Sequence, residues 1–145
     1  MSVLGLDTDV LVGWLHGESE HHRASRDLIE RELADGETRL GLTAQVAFEL
    51  VHVVTDPRRF DQALAMDEAI ALVHDLWQSP DVARVPAPPR VLGRTLELLR
   101  AYTLGRKRIL DTALAATLEA AGIRRLATWN PGDYAVFHFL ETVPR

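Results

Sequence analysis

Short apolar runs alternate with amphipathic stretches along this chain, and that alternation most narrows what it can fold into. Residues 3–6, 39–42, 82–85 and 125–128 have strand length and are bounded by turn or capping residues. Between them, apolar residues recur at helical spacing. Val10, Leu11, Trp14 and Leu15 form one helix face, and Ala24, Leu28, Ile29 and Leu33 give the buried stripe of a second helix over 20–34. Thr43 is a candidate N-cap for a helix that Pro57 stops, and further helices are expected over 66–77, 91–104 and 112–121. Leu92, Leu96, Leu99 and Tyr102 are read as the inward face of the helix over 91–104, and 141–143 as a last short strand. Strands alternating with helices predict a three-layer α/β/α domain with a mainly parallel sheet of four or five strands and right-handed crossovers. Ligands of such sheets bind beyond the carboxyl ends of the strands.

A length of 145 residues with 47% hydrophobic side chains fits a single domain over 1–145 with one core. With no cysteine there is neither a disulfide framework nor a thiolate zinc site, so oxygen or histidine ligands remain for any metal. The N-terminus lacks the basic and apolar regions of a signal peptide, and no apolar run reaches membrane-spanning length. A cytoplasmic protein is expected. A net charge of −5 excludes a protein that coats nucleic acid through a globally basic surface, although it permits a local basic patch.

Against this apolar pattern stand four scattered acids: Asp7 after the first strand, Glu49 within an apolar helix, Asp111 at a helix start and Asp133 in a loop. Each has a plain reading, since aspartate caps helices and populates turns. Gathered together, ionised carboxylates out of water cost several kcal/mol unless paired or bound to a cation. Around Glu49 the helix is apolar nearly all round, as in a buried element, and only Gln45, Glu49 and His52 break the pattern. Their i, i+4, i+7 spacing makes one narrow polar stripe, either a solvent edge or the wall of a site.

The segments 6–11 (Leu-Asp-Thr-Asp-Val-Leu), 48–50 (Phe-Glu-Leu), 111–116 (Asp-Thr-Ala-Leu-Ala-Ala) and 128–134 (Thr-Trp-Asn-Pro-Gly-Asp-Tyr) resemble, in order, the motifs of PIN-domain ribonucleases. More narrowly, the chain is similar to the VapC toxins of type II toxin–antitoxin modules. The resemblance implies that Asp7, Glu49, Asp111 and Asp133 hold Mg²⁺ or Mn²⁺, with Thr128 and Asn130 as supporting groups. It also implies RNA as substrate, a VapB-type antitoxin as partner, and a homodimer. Asp9 stands where the family often has asparagine, Asn130 where many members have an acid, and Tyr134 where phenylalanine is usual.

Four carboxylates exceed what one Mg²⁺ ordinarily takes, so some would act through water or hold a second ion. The expected chemistry is hydrolysis of RNA phosphodiesters by a metal-activated water, with Asp7 and Asp111 as principal ligands. Arg58, Arg59, Arg106, Lys107 and Arg108 are candidates for phosphate contacts, or else form solvated loops. Leu28, Ile29, Leu33 and the helix before Asp111 offer apolar residues either to a partner or to the core. Two other readings stay open. One is a non-catalytic α/β binding module. The other is a di-iron carboxylate protein built on the pairs Glu18/His21 and Glu49/His52, a spacing that places both side chains on one helix face. His21 and His22 otherwise read as exposed residues at a helix start.

Overall fold

A computed structural model describes residues 1–145. Strands β1 (Ser2–Leu6), β2 (Thr38–Thr43), β3 (Val82–Val85), β4 (Arg125–Ala127) and β5 (Glu141–Val143) form one sheet in the order β3-β2-β1-β4-β5. Every pairing is parallel, with Leu4 opposite Leu40 on one side and Leu6 opposite Ala127 on the other. The central strand is covered on both faces, and its Leu4-Gly5-Leu6 run is buried throughout rather than alternating.

Six helices cover the sheet: α1 (Thr8–Leu15), α2 (His22–Leu33), α3 (Ala44–Val54), α4 (Met66–Gln78), α5 (Arg90–Ala101) and α6 (Ile109–Ala120). They fall into two packed groups, with α1 touching α2 and α3, α3 touching α4, and α5 touching α6. The chain winds outward from β1 to β3 and then returns past β1 to β4. Right-handed crossovers therefore put the two groups on opposite faces. Gly5 lets α6 approach, because a Cβ there would lie 2.9 Å from Leu118 Cδ1. No helix is long and apolar enough to cross a membrane.

Some helix faces differ from the sequence reading. Helix α5 buries Val91, Thr95 and Leu98, while Leu92 is 69% exposed and Leu96 and Tyr102 also face outward. Both stripes have helical spacing, and the true one is a residue out of phase with the richer leucine stripe. On α2, Ser25 rather than Ala24 is buried, and Leu28 and Ile29 are core residues, not partner surface. Helix α3 is not buried all round, since Phe48 is 72% exposed. A parallel sheet leaves no four-helix bundle for a di-iron centre. The Glu18 carboxylate instead accepts the backbone N–H groups of Asp61 and Gln62 at 3.0 and 2.7 Å, and His52 is exposed.

Candidate active site

The strand order reverses between β1 and β4, so the connections leaving these paired neighbours run in opposite directions and a crevice opens beyond their carboxyl ends. Asp7 and Thr128 are the first residues beyond the two strand ends, and the Asp7 N–H still donates to the Ala127 carbonyl at 3.0 Å. Thr128 Oγ1 donates to Asp7 Oδ2 at 2.8 Å, and the other oxygen accepts the Thr8 N–H at 2.8 Å. The candidate cap and the candidate ligand are thus the same residue, because Asp7 is the N-cap of α1.

Glu49 reaches this point from α3. Its Oε2 accepts the Thr8 hydroxyl at 3.0 Å and its Oε1 the Gln45 amide at 3.0 Å. Gln45 Nε2 also meets the Leu110 carbonyl at 3.0 Å, which ties α3 to the start of α6. The Gln45–Glu49 part of the polar stripe therefore walls the site, while His52 lies beyond it. Asp111 lies in the first turn of α6, which begins at Ile109, so it is not the cap; Arg108 is, without a capping hydrogen bond. Asp111 Oδ1 accepts the Tyr134 hydroxyl at 3.2 Å. Asp133 ends a 3₁₀ turn over Pro131–Asp133, and it lines, with Asp7, Glu49 and Asp111, one cleft of about 650 Å³.

Three further residues belong to this set. Tyr134 is 1% exposed, and burial followed by the charges of Asp7 and Asp111 drives its pKa above the usual phenol range, so it stays a donor. Asp9 shares the cleft, and its Oδ2 accepts the Trp129 N–H at 3.0 Å and Asn130 Nδ2 at 2.8 Å. The third is His21, stacked on Trp129 with ring centroids 5.3 Å apart; its neighbour His22 bonds the Gly13 carbonyl at 2.8 Å. Neither imidazole is a free surface group. The Asp9 position carried a motif signal in the sequence, whereas His21 carried only the Glu-x-x-His spacing with Glu18, which pointed to a different chemistry, and His22 carried none.

The basic residues divide. Arg59 lines the cleft, Arg58 is exposed beside Asp56, and Arg106 and Lys107 are exposed on the 3₁₀ turn Arg106–Arg108. Arg108 turns inward, where it donates to the Asp133 carbonyl and lies 4.0 Å from Asp111 Oδ2. It clamps the two acid-bearing segments together instead of projecting to solvent.

Electrostatically the site is over-supplied with negative charge. Burial, and then the neighbouring Asp9, push Asp7 up to about 6. Asp111 is also raised, by burial first and then by Asp7, and Asp9 by burial. Asp9 Oδ1 is buried with no hydrogen-bond partner. No three acidic or imidazole groups close tightly enough to form a ready coordination shell. Spaced carboxylates with an unpartnered buried oxygen fit a hard divalent cation that retains water between itself and some of its ligands.

A close helix contact supports the loop that carries Asn130 and Asp133. Gly13 lets α2 press against α1, so that Ser25 Oγ accepts Trp129 Nε1–H at 2.9 Å. A Cβ at Gly13 would lie 2.2 Å from that oxygen and 3.1 Å from the His21 carbonyl. Gly13→Ala is expected to lower stability by about 1–3 kcal/mol through overpacking, read as a shift of the urea midpoint. An unchanged midpoint would show that the two helices part freely.

The family model of the PIN domain matches residues 5–132. No curated protein matches the chain at a significant level. Among solved structures, the chain is similar to VapC20 of Mycobacterium tuberculosis, a sarcin-ricin-loop-cleaving toxin, with TM-score 0.71 and 14% identity over 94% of this chain and 95% of that one. It is also similar to VapBC2 from Rickettsia felis bound to a promoter DNA fragment, with TM-score 0.66 and 16% identity over 97% and 96% of the two chains. FitAcB from Neisseria gonorrhoeae gives TM-score 0.59 and 16% identity over 96% and 95%. At such identities the likeness to these structures is one of fold.

Proposed function

We propose, since the chain belongs to the PIN-domain family, that it is a metal-dependent ribonuclease of the VapC-like toxin kind, formed by one PIN domain over residues 1–145. One observation carries the reading: Asp7, Glu49, Asp111 and Asp133, from four separate segments, line one cleft at the carboxyl edge of the parallel sheet. Asp7 and Asp111 would hold Mg²⁺ or Mn²⁺, with Glu49 and Asp133 acting through water. When bound, the ion supplies positive charge at the scissile phosphate and acidifies its water.

The chain's own groups do the rest. Thr128 and Thr8 fix the Asp7 carboxylate between two donors, while Thr8 and Gln45 hold both oxygens of Glu49. Glu49 is thereby oriented to accept a proton from an attacking water. The Tyr134 hydroxyl fixes Asp111, Asn130 fixes Asp9, and Arg108 holds the Asp133 turn against α6. Arg59 in the cleft, together with the exposed Arg58, Arg106 and Lys107, supplies phosphate contacts for an RNA whose approach the net charge would otherwise oppose.

A VapB-type antitoxin and a second copy of the chain are the partners this reading implies, in a cytoplasmic setting. Support comes from neighbours that are VapBC and FitAcB assemblies. The outward-facing Phe48, Ile70, Leu92, Leu96 and Leu110 supply apolar surface for such contacts. Purified protein is expected to cleave RNA with Mg²⁺ or Mn²⁺ and to lose that activity on chelation, with recovery when the ion is returned. Cleavage that survives exhaustive chelation, or no cleavage of any RNA with either ion, would overturn the proposal.

A further inference from the structure

On the α2 side of the cleft the chain builds an aromatic shelf. His21 lies on Trp129 with the ring planes only 20° apart. Trp129 is held at two points, by its indole N–H to Ser25, which is 0% exposed, and by its backbone N–H to Asp9. The imidazole lines the same cleft as Asp7, Glu49 and Asp111, and its side chain remains 42% exposed. One ring face is thus backed by a fixed indole while the ring borders open space beside the acids. Although His21 is the N-cap residue of α2, it makes no capping hydrogen bond, so the helix does not require its side chain.

We propose that this shelf receives a nucleobase of single-stranded RNA, adjacent to the phosphate at the acidic site; the inference rests on the ribonuclease reading. A flat, rigid aromatic surface binds any base by its π face, and bases paired within a duplex offer no such face. The surroundings favour a base over the backbone. Glu18 and Glu20 line the cleft beside His21 and repel phosphate, whereas an uncharged base meets no such penalty. The shelf therefore selects unpaired or splayed nucleotides and sets which way the strand runs through the cleft.

The test uses short single-stranded RNAs in which one nucleotide at a time, moving out from the scissile bond, is abasic. Wild-type protein is expected to show one flanking position where loss of the base raises KM about tenfold. His21→Ala is expected to raise KM about tenfold on intact RNA and to add nothing when that same position is already abasic, whereas His21→Phe restores most of the binding. A flat abasic profile in a protein that cleaves intact RNA overturns the shelf alone. So does a His21→Ala loss that ignores the abasic position or falls in kcat only, and so does a His21→Ala effect confined to binding a protein inhibitor. Absence of cleavage with any RNA and either ion removes the ribonuclease reading and the shelf with it.

Discussion

Asp7→Asn is expected to reduce Mg²⁺-dependent RNA cleavage by about 10³-fold or more while leaving the chelated protein folded and no less stable than wild type near pH 7. The activity loss follows from removing the acid at the centre of the cluster. The stability follows from the site's charge surplus. In the folded protein Asp7 is pushed up to about 6 by burial and by Asp9, so its ionised form is held at a cost that asparagine does not carry. The amide retains an oxygen for the Thr8 N–H. Thr128 must turn its hydroxyl, which already accepts the Asn130 N–H at 3.0 Å, and this offsets part of the gain. Cleavage rates for the folded variant, with melting curves taken in chelator, check both halves. A folded variant that cuts at the wild-type rate would remove Asp7 from the chemistry, and one that melts far below wild type would show that its charge is structural.

How far the sequence discloses such a site depends on the kind of signal each residue leaves. The strand at 3–6 is legible because a centrally placed parallel strand is apolar over its whole length, whereas 39–42 is read from the apolar run after Arg39, and 82–85, an edge strand with Arg84 exposed, from its valines between Pro80 and Pro86. The last strand is legible too, as a short β-branched run at the edge. Phase is harder to read than period. Val91, Thr95 and Leu98 recur at the same helical spacing as Leu92 and Leu96, and only the packing of α5 on α6 decides between them.

Residues that act through tertiary contact leave still less trace. The Tyr134 hydroxyl has a role because α6 brings Asp111 within 3.2 Å, and His21 because Gly13 admits Ser25 and so fixes Trp129. Asp9 is instructive in another way. Its position sits inside the first acidic motif, yet its partners, the Trp129 N–H and Asn130, are about 120 residues away in the chain and are met only once β1 and β4 pair. Arg108 looks like its neighbours Arg106 and Lys107 in sequence, and only the fold turns it inward.

The same charge surplus predicts an inverted pH response for the metal-free protein. Asp7 rises from its ordinary 3.8 to about 6 on folding, so between those values the folded chain binds a proton that the unfolded chain has released. Stability then falls as pH rises through that window, by up to about 3 kcal/mol for the two-unit displacement, and is flat above it. Asp9 and Asp111 are raised as well and push in the same direction. Carboxylates of the Asp56 kind, lowered by the Arg58 N–H, work oppositely, so total stability mixes the two. The wild-type minus Asp7→Asn difference isolates the site. Measured in chelator, that difference is expected to turn against wild type between about pH 4 and 6. Mg²⁺ at 100-fold its Kd is expected to return about 2.7 kcal/mol above pH 7 and little below pH 5, where protons hold the same oxygens. A difference that is flat from pH 4 to 7, or equal Mg²⁺ stabilisation at pH 4.5 and 7.5, would mean that the carboxylates are relieved by something other than a cation. In that case the cleft would no longer support a metal-dependent hydrolase.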